Sequence, residues 1–236
     1  AFAVYFDEND RPFQTKEWKQ AIAAIREAAG ANSIRVYLTF VNDIVFADGS
    51  SSQKDAALIS RLMASEESRS SLIGQILEIA AAFPLNGVEI DFERIKPEDW
   101  NRVILFYEEL YRRLKASALR LRIVLEPQAP LEKLRWPAGP EYVVMAYNLY
   151  GTHSGPGPKA NDALIRQLAR RMSRLPGRNV MAVAAGGFDW SETGEVSPVT
   201  ERQALALMPR NLSGSARDEA SGSVYFDYVD EQGIRH

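Results

Sequence analysis

Short runs of β-branched and aromatic residues alternate along this chain with segments of helical spacing, at intervals of roughly thirty residues. The runs lie at residues 2–6, 34–41, 87–92, 119–126, 142–147, 179–185 and 223–229. Between the first two, Trp18, Ala21, Ile22, Ile25, Ala28 and Ala29 share one helical face, with Thr15 as N-cap and Gly30 as stop. A longer helical stretch, 53–83, breaks near Ser65, where Ser65-Glu66-Glu67-Ser68 caps a second helix. Pro97 suits the first turn of the next helix, whose stripe is Trp100, Val103, Ile104, Tyr107, Leu110, Tyr111 and Leu114. Residues 162–175 and 200–207 supply two more helices, and 211–223 reads as a loop. Strand, helix, strand in this rhythm means βαβ units and a mostly parallel sheet. There is no linker, repeat or low-complexity tract, so residues 1–236 read as a single α/β domain.

A doubly wound sheet and a closed barrel share that rhythm. A nucleotide-binding doubly wound sheet needs a glycine-rich turn after its first strand. Here the chain reads Asp7-Glu8-Asn9-Asp10-Arg11-Pro12, acidic and without glycine. A (β/α)8 TIM barrel is the expected fold.

Composition narrows the chemistry. There is no cysteine, which excludes a disulfide framework, thiolate metal sites and a cysteine nucleophile. The two histidines are His153 and His236, too few for a multi-histidine metal site, and His153 sits in a loop. Carboxylates are therefore the expected carriers of any catalysis. A net charge of −3 gives no reason to expect nucleic acid. No apolar run approaches the ~18 residues of a membrane span. The chain starts Ala1-Phe2 without an initiator methionine and so reads as a mature or trimmed product.

The segment Asn86-Gly87-Val88-Glu89-Ile90-Asp91-Phe92-Glu93 carries most of the information. Strand side chains alternate faces, so Val88, Ile90 and Phe92 point toward the helix layer. Glu89, Asp91 and Glu93 point into the barrel, about 6.6 Å apart at two residues each. Repulsion and partial burial push at least one of their pKa values upward, as a general acid near neutral pH requires. Glu93 ends the row at the C-terminal face, where barrel enzymes keep their catalytic groups.

This run resembles the D-G-x-D-x-D-x-E signature of glycoside hydrolase family 18, the chitinase-like barrels. Asp91 and Glu93 match in place, while Asn86 and Glu89 replace aspartates. Val144-Met145-Ala146-Tyr147-Asn148 resembles the family's M-x-Y-D on a later strand, with Asn148 for the usual aspartate. The turn-rich Tyr150-Gly151-Thr152-His153-Ser154-Gly155-Pro156-Gly157-Pro158 is similar to the loop that follows in the bacterial spore-cortex-fragment lytic N-acetylglucosaminidases. Gly187-Phe188-Asp189-Trp190 resembles that branch's G-Y-D-W, and residues 225–233 resemble its late segment. Trp190 either stacks on a sugar face or closes the barrel rim.

The resemblance implies a retaining, substrate-assisted hydrolysis of β-1,4 bonds next to N-acetylglucosamine. Glu93 is then the acid/base, Asp91 orients the N-acetyl group, and the Tyr147 hydroxyl holds its oxygen. Glu89, Asn148, Met145, Tyr150 and Trp190 are the implied substrate-binding residues. No metal or organic cofactor is required. The implied partner is an N-acetylglucosamine-containing glycan, from peptidoglycan fragments or chitin, and the implied location is secreted or at the cell envelope. The alternative is a chitinase-like barrel that binds carbohydrate without cleaving it. The sequence sets no oligomeric state.

A barrel of this class takes about 250 residues, and seven strand candidates are one short of eight. The expectation is a barrel lacking its final strand–helix unit, less stable than a version extended beyond His236.

Overall fold

The computed structural model describes residues 2–13, 18–29, 34–212 and 214–236, so Thr15 and Gly30 lie outside the described residues. The elements are, in order, β1 Phe2–Phe6, β2 Pro12–Phe13, α1 Trp18–Ala29, β3 Tyr37–Val45, β4 Ser51–Ser52, α2 Ala56–Leu62, α3 Glu66–Ala81 and β5 Gly87–Asp91. There follow α4 Trp100–Ala116, β6 Arg120–Leu125, β7 Glu141–Met145, α5 Asp162–Met172, β8 Asn179–Ala182, β9 Gly187–Trp190, β10 Val196–Val199, α6 Glu201–Leu207, β11 Ala216–Arg217 and β12 Val224–Tyr225. The main sheet runs β2-β1-β3-β5-β6-β7-β8, with β4 paired to β3. The ladders β1–β3, β3–β5 and β5–β6 are parallel. This is the barrel-type βα succession, and among the described residues no ladder joins β8 back to β1.

By its contacts the chain forms two compact units. The first is Ala1–Val143 with Arg174–Val180, and the second is Val144–Ser173 with Met181–His236.

In the first unit the central strands are buried on their apolar face, as a parallel sheet requires. Val88 and Ile90 are wholly enclosed, and Phe92 stacks on Phe106 of α4 with ring centroids 6.1 Å apart. Helix α4 buries Val103, Phe106, Tyr107, Leu110 and Leu114. Each such side chain contributes about 1.5–3 kcal/mol of burial. Phe106, absent from the expected stripe, belongs to it. Pro97 precedes the helix instead of opening it, since Asp99 is the N-cap residue. The break near Ser65 is a helix start: the Ser65 hydroxyl accepts the Ser68 N–H, and the Ser68 hydroxyl accepts that of Ser65. Gly87 has to be glycine. A Cβ there would overlap the Arg120 carbonyl oxygen of the neighbouring strand and stand 2.6 Å from the Tyr37 ring.

The second unit departs from expectation. Residues 223–229 do not form a main-sheet strand; Val224 and Tyr225 pair antiparallel with Ala216–Arg217 inside the expected loop, and Tyr228 and Val229 make isolated bridges to Asn211 and Arg235. Val224 and Tyr225 are exposed, and of this β-branched and aromatic run Tyr228 alone is buried, stacked on His236. Strand β8 stops at Ala182, leaving Val183 exposed. Gly187–Trp190 forms a hairpin with Val196–Val199, an element the sequence reading did not contain. Thr200 caps α6 in a reciprocal arrangement with Gln203.

Candidate active site

The acid row lies on β5, and the strands on either side decide what becomes of each carboxylate. Thr39 of β3 and Arg122 of β6 stand opposite Glu89 in register. The Thr39 hydroxyl donates to Glu89 Oε1 at 2.8 Å, and an Arg122 guanidinium nitrogen lies 2.9 Å from Oε2. Arg122 also packs over the Tyr37 ring, 5.0 Å from its centroid. The methylene that distinguishes glutamate from aspartate here supports a buried ion pair, which makes Glu89 a structural member of the row.

Asp91 has no cation bonded to it, and its Oδ1 is buried with no hydrogen-bond partner. Burial, and then the charges of Glu93 and Glu89, raise its pKa to about 7, against a smaller opposing pull from Lys54. A carboxyl poised there by desolvation and like charge is a functional-site signature.

Glu93 lies two residues past the end of β5, and the backbone holding it is fixed from β3. The Glu93 N–H donates to Asn42 Oδ1 at 2.9 Å, while Asn42 Nδ2 donates to the Glu93 carbonyl at 3.0 Å. Asn42 is itself fully buried. The next residue, Arg94, adopts φ +57°, and its N–H donates to Glu126 Oε2 at 2.7 Å. Burial also raises the pKa of Glu126, which stands just beyond β6, and Glu93 adds to the rise. Lys54 Nζ pairs with Glu93 Oε2 at 2.7 Å. Asn86, the first position of the motif, is structural: its Oδ1 accepts the Val36 N–H and its carbonyl accepts that of Arg120.

Thus Glu89, Asp91 and Glu93 are brought together in the first unit, beside Lys54 and Glu126. Met145, Tyr147, Asn148, Tyr150 and Trp190 belong to the second unit. Met145 is buried, Tyr147 lies two residues beyond β7, and Asn148 adopts φ +68°. The Tyr150 ring packs on Gly157, where a side chain would collide with it. The indole of Trp190 donates to the Ser154 carbonyl at 3.2 Å and tilts against Phe188. With Pro156, Glu192 and His236 it lines a groove of about 450 Å³. His153 is exposed in the loop.

Sequence reasoning missed Asn42, Lys54, Arg122 and Glu126. Asn42 and Glu126 carried a usable signal, as polar residues near the C-terminal ends of buried strands. Lys54 and Arg122 carried none. Among the described residues no group of three or more His, Asp or Glu side chains is placed to hold a metal ion, and no helix is long and apolar enough to cross a membrane.

The fold is that of the chitinase-like barrels. Its solved neighbours include a chitinase from Chromobacterium violaceum (TM-score 0.81, 18% identity, all of this chain and 75% of that one). Another is the spore cortex-lytic enzyme SleL of Bacillus cereus (TM-score 0.79, 19% identity, all of this chain and 56% of that one). Among curated proteins, the uncharacterized glycosylase YvbX of Bacillus subtilis is 25% identical over 77% of this chain and 57% of its own length. The cortical fragment-lytic enzyme of the same bacterium is 23% identical over 75% of this chain and 46% of its own. The chain spans about half the length of these curated relatives. No family model matches it.

Proposed function

We propose that this chain hydrolyses β-1,4 glycosidic bonds next to N-acetylglucosamine, in peptidoglycan fragments or chitin, with Glu93 as acid/base. The observation that carries the reading is the acid row on β5, ending in a Glu93 whose backbone Asn42 clamps at the C-terminal edge of the strand. The names of the relatives, glycosylase, chitinase and cortex-lytic enzyme, support the same class of reaction.

In the proposed mechanism the substrate supplies its own nucleophile, the acetamido oxygen, which attacks the anomeric carbon and leads to retention. Glu93 donates its proton to the leaving glycosidic oxygen as that bond breaks, then takes a proton from the water that opens the cyclic intermediate. Asp91 orients the acetamido group. Its buried Oδ1 lacks a partner, so a substrate N–H there satisfies an acceptor that otherwise costs about 1–3 kcal/mol. By the family resemblance Tyr147 is the residue assigned to the acetamido oxygen, and Met145, Asn148, Tyr150 and Trp190 are the proposed sugar contacts, while Glu89, paired with Arg122, supports the acid row. No cofactor enters the scheme. A wall or chitin substrate places the enzyme outside the cell or at its envelope.

The test is product release from chitooligosaccharides and peptidoglycan fragments, read by mass spectrometry with native chain and Glu93→Gln. Loss of at least about a hundredfold in turnover is expected, within the range ascribed to general acid catalysis. Normal turnover by the variant overturns the assignment. Sugar binding without cleavage by the native chain favours a carbohydrate-binding barrel instead.

A further inference from the structure

Among the described residues Lys54 is the one side chain in ion-pair contact with the proposed acid/base, and the backbone around it holds it there. It adopts φ +53°, unusual for a residue other than glycine, at the turn between β4 and α2. Its N–H donates to Asp43 Oδ1 at 2.8 Å. The following residue, Asp55, donates its N–H to the Asn42 carbonyl at 2.8 Å, accepts from Asn42 Nδ2 at 3.2 Å, and caps α2 through Leu58 N–H at 2.7 Å. Asn42 is the same residue that clamps the Glu93 backbone. One hydrogen-bonded frame thus fixes both main chains, and the lysine side chain is the movable part. It is 37% exposed, against 15% for the Glu93 side chain. The lysine side chain is therefore the more solvent-accessible partner and the glutamate side chain the better covered one.

We propose that Lys54 is a charge gate on Glu93, a positioning residue that releases the acid/base when a carboxylate on the sugar substrate takes over its ammonium group. The inference rests on the reading of Glu93 as acid/base and narrows the substrate to carboxylate-bearing N-acetylhexosamine glycans. While Nζ holds Oε2, that oxygen is engaged as an acceptor and cannot present a proton to a glycosidic oxygen. A neutral sugar must break a 2.7 Å ion pair and leave the ammonium to water alone, with no carboxylate in exchange. An anionic sugar supplies the exchange. The other charges around the pair sharpen the point: Asp91 on β5, Glu126 beyond β6 and Asp43 on β3 are acids. The remaining neighbouring cation, Arg94, has an exposed side chain and offers Glu126 its backbone N–H. Without Lys54 this end of the site repels an anionic substrate.

The experiment compares native chain, Lys54→Gln and Lys54→Arg on two glycans of equal length. One is chitotetraose; the other carries N-acetylmuramic acid, with its free lactyl carboxylate, at alternate sugars. The native chain is expected to favour the anionic glycan by about tenfold or more in kcat/KM, with the preference falling as salt rises. Lys54→Gln brings the two within about twofold, raising KM for the anionic glycan and kcat for the neutral one, and Lys54→Arg restores the preference. A preference in Lys54→Gln equal to the native one overturns the gate, as does a native chain that favours the neutral glycan. Glu93→Gln separates the two readings. If it is inactive while Lys54→Gln behaves as native, only the gate fails; if it turns over both glycans normally, both fail.

Discussion

Replacing Asp91 by asparagine should make the protein more stable at alkaline pH while leaving it catalytically crippled. Folding raises the Asp91 pKa from its ordinary 3.8 to about 7, with burial as the largest cause. The folded state therefore binds this proton more tightly than the unfolded chain does. Its contribution is fully present below pH 3.8 and is lost as pH rises through 7. At 1.36 kcal/mol per pH unit the whole penalty is about 4 kcal/mol. Weighting both states by their protonation puts about 2 kcal/mol of it at pH 5 and about 4 kcal/mol at pH 8, a difference of roughly 2–3 kcal/mol. Asparagine keeps the shape and never titrates, so the variant gains that difference over the native chain between the two pH values. Trp18, Trp100 and Trp136 lie in the same unit as Asp91, so tryptophan fluorescence in urea follows it. With a urea slope of about 2–3 kcal/mol/M, the gap between the two midpoints should widen by about 1 M from pH 5 to pH 8. A gap that is the same at both values would refute the argument that Asp91 carries the row's proton.

Three further changes test the frame around the site. Gly87→Ala forces a Cβ into the Arg120 carbonyl and the Tyr37 ring, and should cost about 1–3 kcal/mol in denaturant unfolding. Arg122→Met strands the buried Glu89 charge and should cost about 3–5 kcal/mol, whereas Arg122→Met with Glu89→Gln should recover most of it; a double-mutant cycle reads the coupling. Asn42→Ala removes both side-chain bonds to the Glu93 backbone, and turnover should fall by about tenfold or more with KM changed by less than about threefold, measured on chitotetraose.

The parts of this molecule that were legible in the sequence are those in which a residue's role is set by its near neighbours. Period-two alternation placed Val88, Ile90 and Phe92 in the core and the acids on the other face, because a strand offers two faces and only one suits apolar groups. Ser65 was readable as a helix start because its partner Ser68 is three residues away. What escaped depended on lateral register. Lys54 meets Glu93 across 39 residues and Asn42 meets it across 51, contacts that exist only once β3 and β5 pair. Residues 223–229 were misread for the complementary reason: a β-branched and aromatic run shows that a segment can be extended, not that a sheet stands ready to accept it. Pro198 concealed the hairpin partner of Gly187–Trp190, since proline is disfavoured in strands and is tolerated here at an edge.

The acid row also explains how three carboxylates share one strand face. Glu89 at one end is balanced by Arg122, and Glu93 at the other by Lys54. Asp91, between them, has neither cation in contact, and it is the member whose pKa climbs to about 7. Two cations thus face the outer acids, and the middle one is the member that burial and like charge push toward its protonated form. The two cations are not equivalent. Arg122 is locked between Glu89 and the Tyr37 ring, so its charge stays in place. Lys54 reaches Glu93 from a half-exposed turn, so its charge can be drawn away. When it is, Glu93 loses its cation while Glu89 keeps its own, so the substrate-dependent change proposed for the row falls at its C-terminal end.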